Sequence, residues 1–478
     1  MSFAAPIFLW YFMPAVLLAY WVLPGRWRNG LLAIASLTFY VYGAGSFIFA
    51  LVACIAVNFA AGIGVDAERF AERPRARRAI LAGAIVFDLS VLAVWKYAGF
   101  ATRQIHSLSH ALGLGDSPIV TLALPIGISF FTFHHLSYVV DVYRHSRHAQ
   151  KSPVQFVTYI AMFPQLIAGP IVRYHEIADQ LADTKRDRLT DFVDGFPRFA
   201  LGLSKKVIVA DTVSPIANAA FLIDPSQLTT GTAWVGALAY TVQIYFDFSG
   251  YSDMAIGLAQ MFGLRLPENF NRPYSAHSIT DFWRRWHMSL SRWFRDYAYI
   301  PLGGNRNGTA QTYRNLLIVF VLTGFWHGAA WTFLVWGLYH GSWLVIERVS
   351  GWDRRELGSV ELVARRALTL LIVIVGWVLF RATSLSYALR YLKAMFAYRS
   401  GPMPDALLAV WTHHRIVILI VGLVVVLFPA SLVTGRLIER RDVLWAVPVR
   451  WAVIAVMLPY AAILVGAGTF SPFLYFQF

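Results

Sequence analysis

The chain has 478 residues, of which 58% are hydrophobic and only 14% charged. Soluble domains carry about 25% charged residues, so this balance excludes a soluble enzyme, a disordered chain and a fibre, and it predicts a polytopic membrane protein. The 41 basic and 26 acidic residues leave a net charge of +15. With no nucleic-acid-binding motif, that excess reads as basic cytoplasmic loops beside anionic lipid, not as a nucleic-acid surface.

A membrane crossing needs about 20 mostly apolar residues. Apolar runs fall near 5–23, 46–65, 79–100, 119–140, 207–222, 229–249, 315–347, 367–383, 415–433 and 451–469, with a shorter one near 30–43. The first run has no basic segment before it and no small-residue cleavage site, so it reads as a transmembrane helix and not as a cleaved signal. Residues 30–65 read as a hairpin turning near 43–46. The 315–347 run is too long for one span and reads as two helices, or as one helix broken near Gly328. The only cysteine, Cys54, sits inside an apolar run and reads as a small buried hydrophobe.

Positive charge sets the orientation. Arg26 and Arg28, the stretch 66–78 with Arg69, Arg73, Arg75, Arg77 and Arg78, and the stretch 141–152 with Arg144, Arg147 and Lys151 are assigned to the cytoplasm. The loop 101–118 and the N-terminus are then outside, and 351–366 and 435–450 inside. The stretch 384–414 falls outside on this count although it carries Arg390, Lys393 and Arg399.

Two stretches are neither spans nor free loops. Residues 153–206 are too polar to cross and too apolar to float, and they predict a re-entrant or interfacial element sheltered by protein. Residues 265–314 interleave Trp, Phe and Tyr with Arg. Within them Ser278 to Arg295 predicts one in-plane amphipathic helix, capped by Ser278 or Thr280.

Polar groups at membrane depth are expensive, so three clusters are candidate sites. In GFWHGAAWTFLVWGLYHG (324–341), His327 lies between glycines and His340 near the end. An imidazole there serves as a general base or packs as a hydrogen-bonded core histidine. The glycines admit a ligand chain or another helix close to the backbone. In FWRRWHMSLSRWFRDY (282–297), His287 follows Arg284 and Arg285. Those arginines suit anionic phosphates or plain interfacial anchoring. In YTVQIYFDFSGYSDMAIG (240–257), Gln243, Asp247 and Asp253 interrupt an apolar helix. The two acids are six residues apart and face different ways, so they do not suit an acid/base dyad; one orients a histidine or pairs with an arginine, or they make plain helix-to-helix polar contacts. The pairs His134–His135 and His413–His414 diverge on a helix and lack metal-ligand spacing; no metal site is expected.

The strings TDFWRRWHMSLSRWFRDYAYIPLGGNR (280–306) and LTGFWHGAAWTFLVWGLYHG (322–341) resemble the membrane-bound O-acyltransferase family, in its bacterial alginate O-acetyltransferase-like branch. FFTFHHLSYVVDVYR (130–144), YIAMFPQLIAGPIVRY (159–174), YFDFSGYSDMAIGLAQMFGLRLPENFNRPY (245–274) and the terminal PFLYFQF (472–478) are similar to the same branch. The resemblance covers nearly the whole chain in order. It implies an all-α polytopic membrane protein, one integral-membrane domain over 1–478. About eleven transmembrane helices, with re-entrant and interfacial helices, would surround a central tunnel. It implies His327 and His287 as the catalytic pair, His327 as base and His287 positioning the donor or stabilising an oxyanion. Arg284, Arg285, Arg295, Asp247, Asp253, Gln243, Trp326 and Trp331 are the candidate substrate- and donor-binding residues. The implied donor is acetyl-CoA or another acyl thioester, with no bound cofactor. The implied acceptor is an extracytoplasmic polysaccharide such as alginate, reached through an extracytoplasmic partner protein, from the bacterial cytoplasmic membrane. A transporter or channel, or a non-catalytic scaffold for polysaccharide modification and secretion, are the alternatives that intramembrane polar groups alone leave open.

Overall fold

The computed structural model describes residues 2–66, 73–352, 358–427, 446–468 and 473. Arg69, residues 435–445 of the basic stretch 435–450, and residues 472 and 474–478 of the terminal motif lie outside the described residues. Every regular element among the described residues is helical. The chain forms two compact units, one over 7–195 and 255–267, the other over 2–6, 196–254 and 268–478.

The first unit contains α1 (Met13–Val22), α2 (Gly25–Ala44), α3 (Ile48–Asp66), α4 (Pro74–Ala111), α5 (Ile128–Tyr143), α6 (Pro153–Ala161) and α7 (Tyr174–Ala182). Gly45, at φ +56°, breaks α2 from α3 within the predicted turn 43–46. The stretches Gly25–Asp66 and Pro74–Ala111 are long and apolar enough to cross a membrane. Ile34, Phe49, Val52, Val86 and Val94 stay exposed on them, as side chains facing hydrocarbon do. Buried polar groups on these helices answer one another. Asn58 Nδ2 donates to Asp88 Oδ1 at 2.8 Å, and His135 lies 3.9 Å from the same carboxylate. His134 turns instead toward the Tyr159 ring, the divergence expected of adjacent helical residues.

Two expectations about this unit need correction. The predicted outside loop 101–118 is helical as far as Ala111, because ATRQIHSLSHA contains no Gly or Pro and the helix ends only before Gly113 and Gly115, both at positive φ. The apolar run 119–140 is helical only from Ile128, since Pro125 lacks an amide hydrogen and Gly127 holds φ +77°. The stretch after α6 is sheltered by protein. Met162, Phe163, Leu166, Ile167, Ala168, Ile171 and Val172 are buried on largely irregular backbone. Phe163 packs on Phe8, Phe12 and Phe39, and its amide donates to Ser36 Oγ at 3.1 Å. Irregular backbone in a membrane protein has to be sheltered in this way.

Helix α8 (Arg188–Ser204) carries the chain onward. The second unit then contains α9 (Asp211–Leu222), α10 (Thr230–Met261, whose last residues belong to the first unit), α11 (Ile279–Trp283), α12 (Met288–Phe294), α13 (Thr309–His327), α14 (Trp331–Ser350), α15 (Ser359–Arg381), α16 (Leu385–Phe396), α17 (His413–Leu427) and α18 (Ala446–Gly466). Helices α15 and α18 are long and apolar enough to cross a membrane, and α17 is a shorter apolar helix. The long run 315–347 is two helices, the first of the two expected readings, with Gly328 closing α13.

The stretch 384–414, expected to be a loop, contains α16 instead. Ser384 caps it by accepting the Tyr387 amide at 3.1 Å. The helix buries Ala388, Tyr391, Ala394 and Met395 and turns Arg390 outward, so its polar face disguises it in a one-dimensional reading. The expected single helix from Ser278 to Arg295 is likewise two, α11 and α12. His287, at φ +44°, breaks it. Ser278, not Thr280, is the cap of α11, accepting the Asp281 amide at 2.9 Å. Glu347 supplies further acceptors to the amides of Ile279 and Thr280 and to the Thr280 hydroxyl, placing a carboxylate at the positive end of that helix.

Candidate active site

The site is built around the α11–α12 break. A carbonyl and a side chain from one residue, Asn269, hold the break open. The Asn269 carbonyl accepts the Met288 amide at 2.9 Å. Its side-chain Oδ1 meets His287 Nδ1 at 3.0 Å, the Ser289 hydroxyl at 2.9 Å and the Ser289 amide at 3.3 Å. Without these contacts a histidine at positive φ would be a strained residue with nothing to keep it there. His287 is completely buried, and burial drives its imidazole down to about 3. It is a neutral ring at physiological pH.

The other histidine comes from the helix pair α13–α14. Gly324 on α13 and Gly337 on α14 let the helices touch backbone to backbone. A Cβ at Gly324 would run into the Phe333 carbonyl, and one at Gly337 into the Phe320 carbonyl. The glycines around His327 therefore serve helix-to-helix approach. His327, in the last turn of α13, is 6% exposed. It is walled by Trp336 at 5.2 Å and Phe380 at 5.1 Å between ring centroids.

Trp326 joins the two histidines. Its ring centroid lies 6.2 Å from that of His287 and 4.8 Å from that of His327. Phe248 of α10 packs edge-on against His287 at 4.7 Å. The result is a dry aromatic wall with two imidazoles set into it, where electrostatic interactions are stronger than in water. His340 belongs to this wall and makes no hydrogen bond to a described residue through either ring nitrogen. It packs among Trp283, Trp336 and Gly376, where a Cβ would come within 2.6 Å of His340 Nε2.

The remaining candidates separate into groups. Asp253 pairs with Arg198 at 2.8 Å and Lys205 at 2.6 Å. Asp247 pairs with Lys206 at 2.8 Å, and the same lysine reaches Asp211 at 2.6 Å. Arg198 also forks onto Glu268 through two bonds of 2.8 and 2.7 Å. Asp253 thus belongs to a buried ion network that reaches Glu268, beside Asn269, while Asp247 belongs to the Lys206–Asp211 group. Gln243 donates to Ser214 Oγ at 3.0 Å. Arg285 is held by Asp281 at 2.8 Å and Arg295 by Asp296 at 2.7 Å. Arg292 is turned onto the carbonyls of Met288 and Glu268. Arg284 is exposed and pairs with no described acid. Trp331 is 54% exposed at the start of α14. Among the described residues no group of three or more His, Cys, Asp or Glu side chains is placed to hold a metal.

Sequence reasoning missed Asn269, Ser289, Phe248, Trp336 and Phe380. Asn269 stands 18 residues from His287, so no helical or strand period links them. The faint signal was a buried-type polar residue inside the aromatic stretch PENFNRPY.

A sequence model of the membrane-bound O-acyltransferase family matches residues 83–352. The chain is 41% identical to a probable alginate O-acetylase of Azotobacter vinelandii across all of both chains. The chain belongs to the membrane-bound O-acyltransferase family. It is also 40% identical to a probable alginate O-acetylase of Pseudomonas putida, again across all of both chains. It is 36% identical to a peptidoglycan O-acetyltransferase of Helicobacter pylori over 82% of this chain and 79% of that one. The family match encloses every candidate site residue from Gln243 to Trp331. The protein is accordingly a multi-pass membrane enzyme of acyl transfer, and the resemblance read from its motifs holds.

Proposed function

We propose that this membrane-bound O-acyltransferase is an O-acetyltransferase of the bacterial cytoplasmic membrane. It takes acetyl from a thioester such as acetyl-CoA on the cytoplasmic side. It delivers the acetyl for modification of an extracytoplasmic polysaccharide, alginate or a similar exopolymer, through an extracytoplasmic partner protein. About eleven crossings around a central tunnel would carry the group across. The observation that carries this reading is the pairing of His287 and His327 on either side of Trp326, in a chain similar from end to end to alginate O-acetylases.

In this mechanism His327 takes the proton of the acceptor hydroxyl as its oxygen attacks the thioester carbonyl. The new ester C–O bond forms and the C–S bond breaks. The departing thiolate recovers the proton from His327 and leaves as a thiol. His287 positions the donor. The rings of Phe248, Trp326, Trp336 and Phe380 keep water from competing as nucleophile. Exposed Arg284 offers a fork to the donor's phosphates, and Trp331 an apolar face beside the entry. Asp253 acts at one remove, through Arg198 and Glu268 beside Asn269, and Asp247 and Gln243 by holding α10 in place. Buried Cys54 takes no part.

The test is transfer of labelled acetyl from acetyl-CoA by purified full-length protein to a hydroxyl acceptor. His327→Ala is expected to lose it while folding normally. Wild-type protein that moves solute through liposomes but transfers no acetyl group would overturn the reading.

A further inference from the structure

His287 can play two opposite parts, because an imidazole nitrogen with a proton donates and one without it accepts. The surroundings decide which. The backbone amide of Ser289 is a donor and nothing else. It points at the Asn269 side chain at 3.3 Å, and the Ser289 hydroxyl reaches the same atom at 2.9 Å. The Asn269 amide must therefore present its oxygen there, since the flipped amide would set an N–H against an N–H. That same oxygen faces His287 Nδ1 at 3.0 Å. An oxygen that only accepts requires Nδ1 to carry the proton. His287 is fully buried, which disfavours a second proton. The neutral ring then keeps its lone pair on Nε2.

The arrangement has a cost that folding alone does not explain. Asn269 is fully buried, yet its Nδ2 finds no hydrogen-bond acceptor among the described residues. Buried polar groups are nearly always satisfied, so a residue that spends its oxygen on three donors and strands its nitrogen is placed for the oxygen.

We infer that Asn269 is a positioning residue of the transfer reaction, holding His287 as the Nδ1–H tautomer so that His287 meets substrate through a proton-accepting Nε2. In that form His287 has no proton on Nε2 to give a developing oxyanion. It accepts instead, from an N–H or O–H of the bound substrate. Ser289 shares the same oxygen and fixes its direction. This assignment rests on the acetyltransferase reading above and narrows the part that reading gives His287.

The experiment is the pH profile of labelled acetyl transfer from acetyl-CoA, between pH 5 and 8.5, by full-length wild type, Asn269→Leu and Asn269→Asp. Asn269→Leu removes the acceptor, frees the tautomer and is expected to lower kcat about 10- to 100-fold. Asn269→Asp keeps an oxygen at the same place and is expected to recover activity relative to Asn269→Leu at pH 8. Its carboxylate also favours the charged imidazole. A new acid limb is therefore expected in the ratio of the Asn269→Asp rate to the wild-type rate, falling up to about tenfold per pH unit below its midpoint. A purely structural asparagine would move stability and not that limb. An Asn269→Leu protein with wild-type kcat, or an Asn269→Asp ratio flat with pH, overturns the inference. If Asn269→Leu fails to fold, the Asn269→Asp profile decides alone. Wild type that transfers no acetyl overturns the acetyltransferase reading itself, an outcome visible before any variant is compared.

Discussion

Lys206 offers a sharp test of whether the acids on α10 are structural or catalytic. Its ammonium is buried and bridges Asp211 at 2.6 Å and Asp247 at 2.8 Å. Lys206→Met keeps the length of the side chain and removes the charge. Two buried carboxylates then lose the cation between them, and breaking a buried pair in this way costs about 3–5 kcal/mol. Asp247→Asn is the milder change. It removes one acid but leaves the Lys206–Asp211 pair and an amide oxygen in the old position. Its expected cost is about 1–2 kcal/mol, the scale of one weakened hydrogen bond to a charged group. Thermal unfolding of the detergent-purified variants, followed alongside acetyl transfer at a temperature where each remains folded, separates the effects. Lys206→Met is expected to lower the unfolding midpoint by several degrees, and Asp247→Asn by less. The reasoning fails if Asp247→Asn abolishes transfer while its unfolding midpoint equals that of wild type, because Asp247 would then act on substrate.

Two further outcomes follow from the same structure. The folded value of His287, about 3, lies below the roughly 6.5 of an exposed histidine. Below pH 6.5 the unfolded chain therefore takes up a proton that the folded chain refuses, and stability falls as pH drops, by about 2 kcal/mol between pH 6.5 and 5. His287→Asn is expected to flatten that part of the stability–pH curve, measured by thermal unfolding, and an unchanged slope would place the titration elsewhere. Cys54 is buried on α3, in the first unit and not the second. Cys54→Ala is accordingly expected to transfer acetyl at a rate close to wild type, and mass spectrometry of protein trapped with labelled donor to show no acetyl at position 54.

The membrane character, the family and the two histidines were legible in the sequence because each is written in consecutive residues. A run such as 315–347 announces its length, and a glycine after His327 announces the break. What stayed hidden depends on partners far along the chain. The break between α11 and α12 is imposed by Asn269 across 18 residues, so the amphipathic pattern from Ser278 to Arg295 looked continuous. Helix α16 was mistaken for a loop because half of its surface is polar. The acids of α10 were noticed, but their cations, Arg198, Lys205 and Lys206, lie on another stretch with no motif in common. The arginine-rich patch around His287 proved less free than its density suggested, with Arg285 and Arg295 each held by a neighbouring aspartate. Of that patch Arg284 is exposed and pairs with no acid among the described residues.

The central claim is that His327 performs the proton transfer in a dry site shared with His287. The most direct measurement is the rate of labelled acetyl transfer by purified His327→Ala and His327→Gln, each shown to unfold at the wild-type temperature. The account predicts a loss of at least about 100-fold in both, the range of a missing general base. Transfer at the wild-type rate in either folded variant would contradict it.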